Sequence, residues 1–384
     1  MLWWIAFFNY ADRQAVFSVF PLLQREFGLN AVQLGLLGSS FAWVYGLSAP
    51  LAGAVVDRVR RKSAILGGLH VWSLICMATA LARNFGALVF FRSAEGLGES
   101  FYFPASMSLL SDYHDRATRS RALGLHQTSV YIGTIAGGFF AGLIGQRYGW
   151  RWAFVVFGGL GIALGLILNR WLVEPMRTKS EPSEAATGFL NLTAVLLLAA
   201  FLCANFVALV LLAWMPAFLF DKFHLSLAAS GLTATLFVQI ASMLGSPLGG
   251  WWADILHRRL RGGRMLVQAF GLAAGAPFVA LCGWTQSVAL LIVALTAWGF
   301  FKGLYDANIF ASIYDVIRPE ARGRAAGLMN MAGWLGGGAA PVAVGFIAQR
   351  SSLSFAIMLA ASVYIAGALL LGLAAFRIQL DARA

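Results

Sequence analysis

Charge is what this sequence has least of. Only 11% of its 384 residues are Asp, Glu, Lys or Arg and 60% are hydrophobic, against about 25% and roughly 45–50% in a soluble domain. No water-soluble fold of this length hides so much apolar surface, so the solvent is lipid. Cysteine is scarce too. Cys76, Cys203 and Cys282 lie far apart, each inside an apolar stretch, which offers neither disulfide nor zinc spacing, and no metal is expected. No Walker sequence occurs. Gly96-Leu-Gly98-Glu99-Ser-Phe101 lacks the third glycine of a dinucleotide loop and follows no strand, so no nucleotide cofactor is expected and ATP does not drive the protein directly. The chain enters an apolar run at once, with no basic n-region and no small-residue cleavage site, so a removable signal peptide is not expected.

Acidic residues number 16 against 28 basic ones, a net charge of +12. Such an excess raises the question of a polyanionic partner, and placement answers it. With alternate loops taken as cytoplasmic, 19 of the 28 basic residues fall on one side, six on the other, and Arg13, Arg92 and Lys302 lie inside apolar segments. This is the positive-inside pattern. It orients a multi-pass protein of the cell (inner) membrane with both termini cytoplasmic, and it accounts for the charge without nucleic acid.

Apolar runs long enough to cross about 30 Å of hydrocarbon recur near residues 2–24, 31–56, 64–82, 86–111, 120–146, 152–172, 188–219, 227–253, 264–284, 287–314, 323–348 and 353–376. Twelve spans make an all-α membrane protein. The one polar stretch of any length carries Pro175 and Pro182 and reads as a cytoplasmic linker over 173–187, between a six-helix bundle at 1–172 and another at 188–384. The halves repeat. Gly53 to Asp57 recurs as Gly250 to Asp254, each closing a second span ahead of an arginine cluster. Arg121-Ala-Leu-Gly-Leu125 recurs as Arg324-Ala-Ala-Gly-Leu328, an offset of 203 residues. Two pseudo-symmetric bundles with a solute site near the midplane are the expected consequence. The glycine runs Gly133 to Gly142 and Gly333 to Gly345 suit close helix contact in lipid.

Ionisable residues at membrane depth are costly and mark function by default. The first span carries Asn9-Tyr10-Ala11-Asp12-Arg13, and the fourth carries Arg92-Ser-Ala-Glu95-Gly96-Leu-Gly98-Glu99. Arg92 and Glu99 are two turns apart and share a face. A carboxylate beside an arginine in low dielectric can alternate between a salt bridge and a protonated state, which is how a proton can be carried. The bland alternative is an ion-pair cluster that only holds helices together. Lys302 and Asp306 stand at the i, i+4 spacing of an intrahelical pair. Alternatively, Lys302 faces the cavity and binds an anionic group. Gln127 and Asn330 are equivalent by the 203-residue offset and could offer hydrogen bonds to a solute, with Tyr45, Tyr131 and His126 as weaker candidates.

Gly53-Ala-Val-Val-Asp57-Arg58-Val-Arg60-Arg61-Lys62 resembles the signature loop of the major facilitator superfamily, with Arg60 where glycine is usual. Gly53, Asp57, Arg58, Arg61 and, in the second half, Asp254 read as a conformational latch: a carboxylate at a helix C-terminus facing arginines. The Asn-Tyr-x-Asp-Arg and Arg-x-x-x-Gly-x-x-Glu runs resemble the anion:cation symporters and the spinster-like transporters of that superfamily. Phe103-Pro104-Ala105 resembles the former, while Ser111-Asp112-Tyr113 fits the latter as well. The resemblance implies a monomeric ion-linked carrier in which Asp12 and Glu99 couple protons, with Arg13 and Arg92 as their partners and as anion ligands. Glu95 is an extra acid without an assigned role. Gly137-Gly138 is not followed by the proline of the drug-antiporter motif, which counts against drug efflux.

The expected function is therefore alternating-access transport of a small organic anion, a sugar acid or other carboxylate, with proton symport. An amphiphile carrier for a lysolipid and a non-transporting membrane receptor are the alternatives. No enzymatic activity is expected.

Overall fold

The computed structural model describes residues 1–56, 58–114, 118–174, 191–318 and 321–381, and these residues hold helices and no strand. Lipid offers no partner to a backbone N–H or C=O, so a spanning segment must satisfy them internally. The helices are α1 (Leu2–Ser18), α2 (Phe20–Phe27), α3 (Ala31–Val56), α4 (Arg61–Thr79), α5 (Phe85–Glu99), α6 (Tyr102–Tyr113), α7 (Arg119–Tyr148), α8 (Trp150–Trp171), α9 (Leu192–Phe223), α10 (Leu227–Arg259), α11 (Gly263–Trp284), α12 (Val288–Asp306), α13 (Ile309–Val316), α14 (Arg322–Arg350) and α15 (Leu353–Asp381). Among the described residues fifteen helices cover the twelve expected spans, nine of the stretches being long and apolar enough to cross a membrane, and three expected spans are broken rods: α1 with α2, α5 with α6, and α12 with α13.

Each break has a local cause. Pro21 and Pro104 stand in the first turns of α2 and α6 and cannot donate to the carbonyl four residues back. The third break has no proline. There Asn308 Nδ2 donates to Leu304 O at 3.1 Å and to Gly249 O at 3.0 Å, so a side chain replaces the backbone donor and reaches across to α10. Two of the breaks follow an acid directly: Glu99 ends α5 and Asp306 ends α12.

Packing sorts the chain into two compact units, Met1–Ser180 with Leu212–Thr235, and Glu181–Leu211 with Leu236–Ala384. The segment Leu212–Thr235 thus packs with the first unit, although its sequence lies within 188–384. Equivalent helices make equivalent neighbours inside each unit. In the first, α4 lies on α8, α5 and α6; in the second, α11 lies on α15, α12 and α13. In the first unit α7 runs along α1 so closely that a Cβ on Gly137 would stand 2.3 Å from Ala11 O, as the glycine run predicts. Of the linker at 173–187, only residues 173 and 174 fall among those described. The Glu174 carboxylate accepts from the backbone N–H groups of Arg61 at 2.8 Å and Lys62 at 3.4 Å. It caps the otherwise unpaired start of α4.

Candidate functional site

The break after Glu99 and the close seats of α7 on α1 and α5 on α3 bring five ionisable side chains together inside the first unit. The seat on α3 needs Gly96, where a Cβ would lie 2.6 Å from Phe41 O. Asp12 and Arg13 come from α1, and Arg92, Glu95 and Glu99 from α5; all five are buried. Arg13 Nε donates to Glu99 Oε2 at 2.5 Å, and Arg92 Nη1 donates to Glu95 Oε2. The partner of Glu99 is therefore Arg13 on the neighbouring helix, not Arg92 on its own, and the extra acid Glu95 is what neutralises Arg92.

Aromatic faces complete the setting. The Arg13 guanidinium lies 4.6 Å from the centre of the Tyr45 ring and 4.7 Å from that of Tyr10. Phe41 lies under both arginines, 5.3 Å from Arg13 and 4.6 Å from Arg92. Ring quadrupoles stabilise such cations where water is excluded. Arg13 is the least enclosed of the five at 8% exposure, against 1% for Arg92 and none for the three acids. Asp12 has no such company: neither of its oxygens has a hydrogen-bond partner among the described residues, and the same holds for the Asn9 side chain and Glu95 Oε1.

Among the other expected site residues, Tyr45 belongs to this cluster. Gln127 is exposed and Tyr131 half-buried on α7. His126 is buried against Tyr102, its Nε2 2.9 Å from the phenol oxygen; that hydroxyl also lies 2.8 Å from Leu2 O, to which it donates, as in a hydrogen-bonded core histidine. In the second unit Lys302 Nζ donates to Asp306 on its own helix, the expected intrahelical pair, and Asn330 is half-buried on α14.

The latch residues fare differently. Asp57 lies outside the described residues, Gly53 is half-buried and Arg58 is exposed. Arg61 forms its ion pair with Asp112 at the end of α6. In the second unit Arg264 bridges Asp254 at 3.1 Å and both oxygens of Asp315 at 2.7 Å. Arg61 and Arg264, and likewise Asp112 and Asp315, are separated by the same 203 residues as the Arg-Ala-x-Gly-Leu runs. Sequence reading missed the ion pairs of Asp112, Arg264 and Asp315, although that offset pointed to them. It had no signal for Phe41, which looks like an ordinary apolar position until the helices pack.

Among the described residues, nine helices long and apolar enough to cross a membrane, with ionisable side chains buried among the helices, define a multi-pass membrane protein. The sequence model of the Major Facilitator Superfamily matches residues 2–278 and 223–382, and the chain belongs to that family. Similar curated proteins include the "Hexuronate transporter" of Bacillus subtilis (strain 168), 27% identical over 92% of this chain and 88% of that protein. The "D-galactonate transporter" of Escherichia coli O6:H1 is 25% identical over 94% and 90%. The "Probable anion transporter 4, chloroplastic" of Oryza sativa subsp. japonica is 28% identical over 91% of this chain, which spans 63% of that protein's length. A solved bacterial homologue of the human lysosomal transporter Spinster, inward-facing and unoccupied, superposes with a TM-score of 0.80 at 20% identity, covering 100% of this chain and 95% of that one. This last likeness is one of fold.

Proposed function

We propose that this chain is a secondary transporter, not an enzyme, that carries a small organic anion of the sugar-acid or related carboxylate class together with a proton by alternating access. The observation that carries the reading is the Arg13–Glu99 pair. It is buried, it bridges two helices, and its arginine is the most exposed charged group of the cluster. A solute carboxylate that reaches Arg13 competes with Glu99 for the same donor. Once displaced, Glu99 is a buried carboxylate without a counter-ion, a state costing several kcal/mol, and it avoids that cost by taking a proton. Anion and proton thus enter the site as a pair, and the anion's departure returns Glu99 to Arg13 and releases the proton.

Relatives whose names specify hexuronate and galactonate support the substrate class. Arg92 supplies a second positive centre. Gln127 and Tyr131 are proposed as polar contacts for the solute from α7, and Lys302, Asp306 and Asn330 keep a proposed solute-contacting role on α12 and α14. The reading puts a monomer in the cell (inner) membrane, with both ends of this chain on the cytoplasmic side, as the distribution of basic residues supports. No feature of the buried cluster favours a lysolipid.

The test is proton flux in proteoliposomes as hexuronates, galactonate, other carboxylates and lysolipids are added singly. Alkalinisation outside with a sugar acid, abolished in Glu99→Gln while anion exchange between the two faces persists, is the expected result. Movement of lysolipid and of no anion would replace this reading with the amphiphile carrier.

A further inference from the structure

The start of α9 and the end of α10 both line a cavity of about 420 Å³ in the second unit, which shares no residue with the buried charges of α1 and α5. Its walls are mostly polar. Asn191 and Thr193 come from the start of α9, His257 from the last turn of α10, Arg261 from the turn that follows, and Asp315 from α13. Only Val316 and Ile378 are apolar.

Several donors on these walls are unused. Asn191 caps α9: its Oδ1 accepts from Ala194 N at 2.8 Å, its carbonyl from Val195 N at 3.1 Å, and its Nδ2 donates to Val316 O at 3.3 Å. The N–H groups of Leu192 and Thr193, ahead of these in the first turn, have no intrahelical acceptor. They stand at the positive end of a 32-residue helix, where an anion is favoured. Thr193 is only 4% exposed, lines the cavity, and its hydroxyl has no hydrogen-bond partner among the described residues. His257 Nδ1 is buried and likewise unpartnered, 3.9 Å from Asp315 Oδ2.

Charge points the same way. Asp315, the one acid among the lining residues, is already answered by Arg264, whose Nη1 lies 2.7 Å from both of its oxygens; Arg264 also meets Asp254 at 3.1 Å. Arg261 is the cation left over on the walls, with Arg258 and Arg259 ending α10 just before it. An arginine fork, a hydroxyl, an imidazole and helix N–H groups, supplied by separate elements, suit an anion with oxygens in three dimensions. Asp315 sets a second condition, because a carboxylate on the wall only accepts, so the ligand must also bring a donor. A phosphate group meets both conditions: it has several acceptor oxygens and, with a second pKa near 6, keeps a proton in part of its population at neutral pH. A carboxylate lacks the third oxygen, and sulfate lacks the proton.

We infer that this cavity binds a soluble phosphate or phosphate monoester, seated on the N-terminus of α9 and held by Arg261, Thr193 and His257, with a phosphate hydroxyl donating to Asp315. The site goes beyond the transport reading, since its ligand is not the transported anion. It borrows Asp315 from the Arg264 pair, which couples its occupancy to that pair. An acyl chain would find only Val316 and Ile378 to lie on, so the phosphate is a soluble one and not a lipid headgroup.

The experiment is isothermal titration calorimetry of the purified full-length chain in maltoside micelles, at neutral pH and constant ionic strength. The probes are inorganic phosphate, glycerol 3-phosphate, sulfate and short-chain phosphatidic acid. Wild type is expected to bind both soluble phosphates and to prefer inorganic phosphate to sulfate about tenfold, the order of one hydrogen bond to a charged group. Arg261→Gln and Thr193→Val are each expected to weaken phosphate binding roughly tenfold, and Arg13→Gln to leave it unchanged. No binding in wild type, or undiminished binding in Arg261→Gln, would overturn the site. Loss in Arg13→Gln would move the phosphate to the buried cluster of the first unit, and binding of phosphatidic acid alone would make the ligand a lipid headgroup. Sulfate bound as tightly as phosphate would overturn the contact with Asp315 and with it the choice of phosphate. Arg261 is exposed, so its replacement decides the case even if Thr193→Val fails to fold. Binding is read here without transport, so the site stands or falls independently of the carrier reading.

Discussion

Phe41 shows how much one uncharged residue can organise. Its ring lies beneath both Arg13 and Arg92, and with Tyr10 and Tyr45 it surrounds the Arg13 guanidinium with aromatic rings. Lysine offers a point charge in place of a flat, forked donor. Arg13→Lys keeps the charge but loses the stacking, which is worth about 0.5–2 kcal/mol where water is excluded. The expected outcome is a KM for the anion raised roughly tenfold, corresponding to about 1.4 kcal/mol, with little change in protein yield. Initial uptake rates across a substrate series check it. An unchanged KM would mean that Arg13 acts through charge alone.

At the scale of the helix, function depends on where rods break and how closely they approach. Pro104 ends the ladder of α5 just past Glu99, and Asn308 does the equivalent past Asp306 with a side-chain amide. The same closeness sets a stability limit. A side chain at Gly137 would be driven into the Ala11 carbonyl, one residue before Asp12. Overpacking of this kind costs about 1–3 kcal/mol. Gly137→Leu is expected to lower the thermal unfolding temperature and to weaken proton coupling, because it pushes α1 and Asp12 off α7. Gly124→Leu, on the same helix but facing open space, is expected to leave both unchanged; differential scanning fluorimetry with the flux assay separates the two.

At the scale of the whole molecule the repeat governs. Arg61 with Asp112 and Arg264 with Asp315 are the same ion pair built twice, once in each unit, with Asp254 as a third member in the second. Partly exposed pairs contribute about 0.2–1 kcal/mol each, too little to hold the fold but enough to bias two conformations several-fold. Arg264→Gln is therefore expected to change the maximal transport rate about two- to fivefold and to leave KM for the anion within error. A shift in KM with an unchanged rate would place these residues in the solute site and not in a latch.

Composition alone was enough to place this chain in lipid, because no aqueous fold can bury its apolar content; run length led to twelve expected spans, of which nine among the described residues are long and apolar enough to cross a membrane, and the compact units divide the chain differently from the expected halves, with Leu212–Thr235 in the first. The buried charges were legible for a related reason: an ionisable residue inside an apolar run stands out against its neighbours. Partnership was not legible. Arg92 and Glu99 share a helical face, yet Glu99 pairs with Arg13, because packing of α5 against α3, with Gly96 on Phe41, and of α7 against α1, with Gly137 on Ala11, brings a neighbouring helix closer than the next turn of its own. The part played by Phe41 was equally hidden, since an apolar side chain acquires a role only from what is packed beside it. Sequence determined which residues must be buried and on which helices; tertiary structure alone decided which of them meet, because hydrogen bonds and ion pairs act over a few ångströms and residues far apart along the chain come that close only when the helices pack.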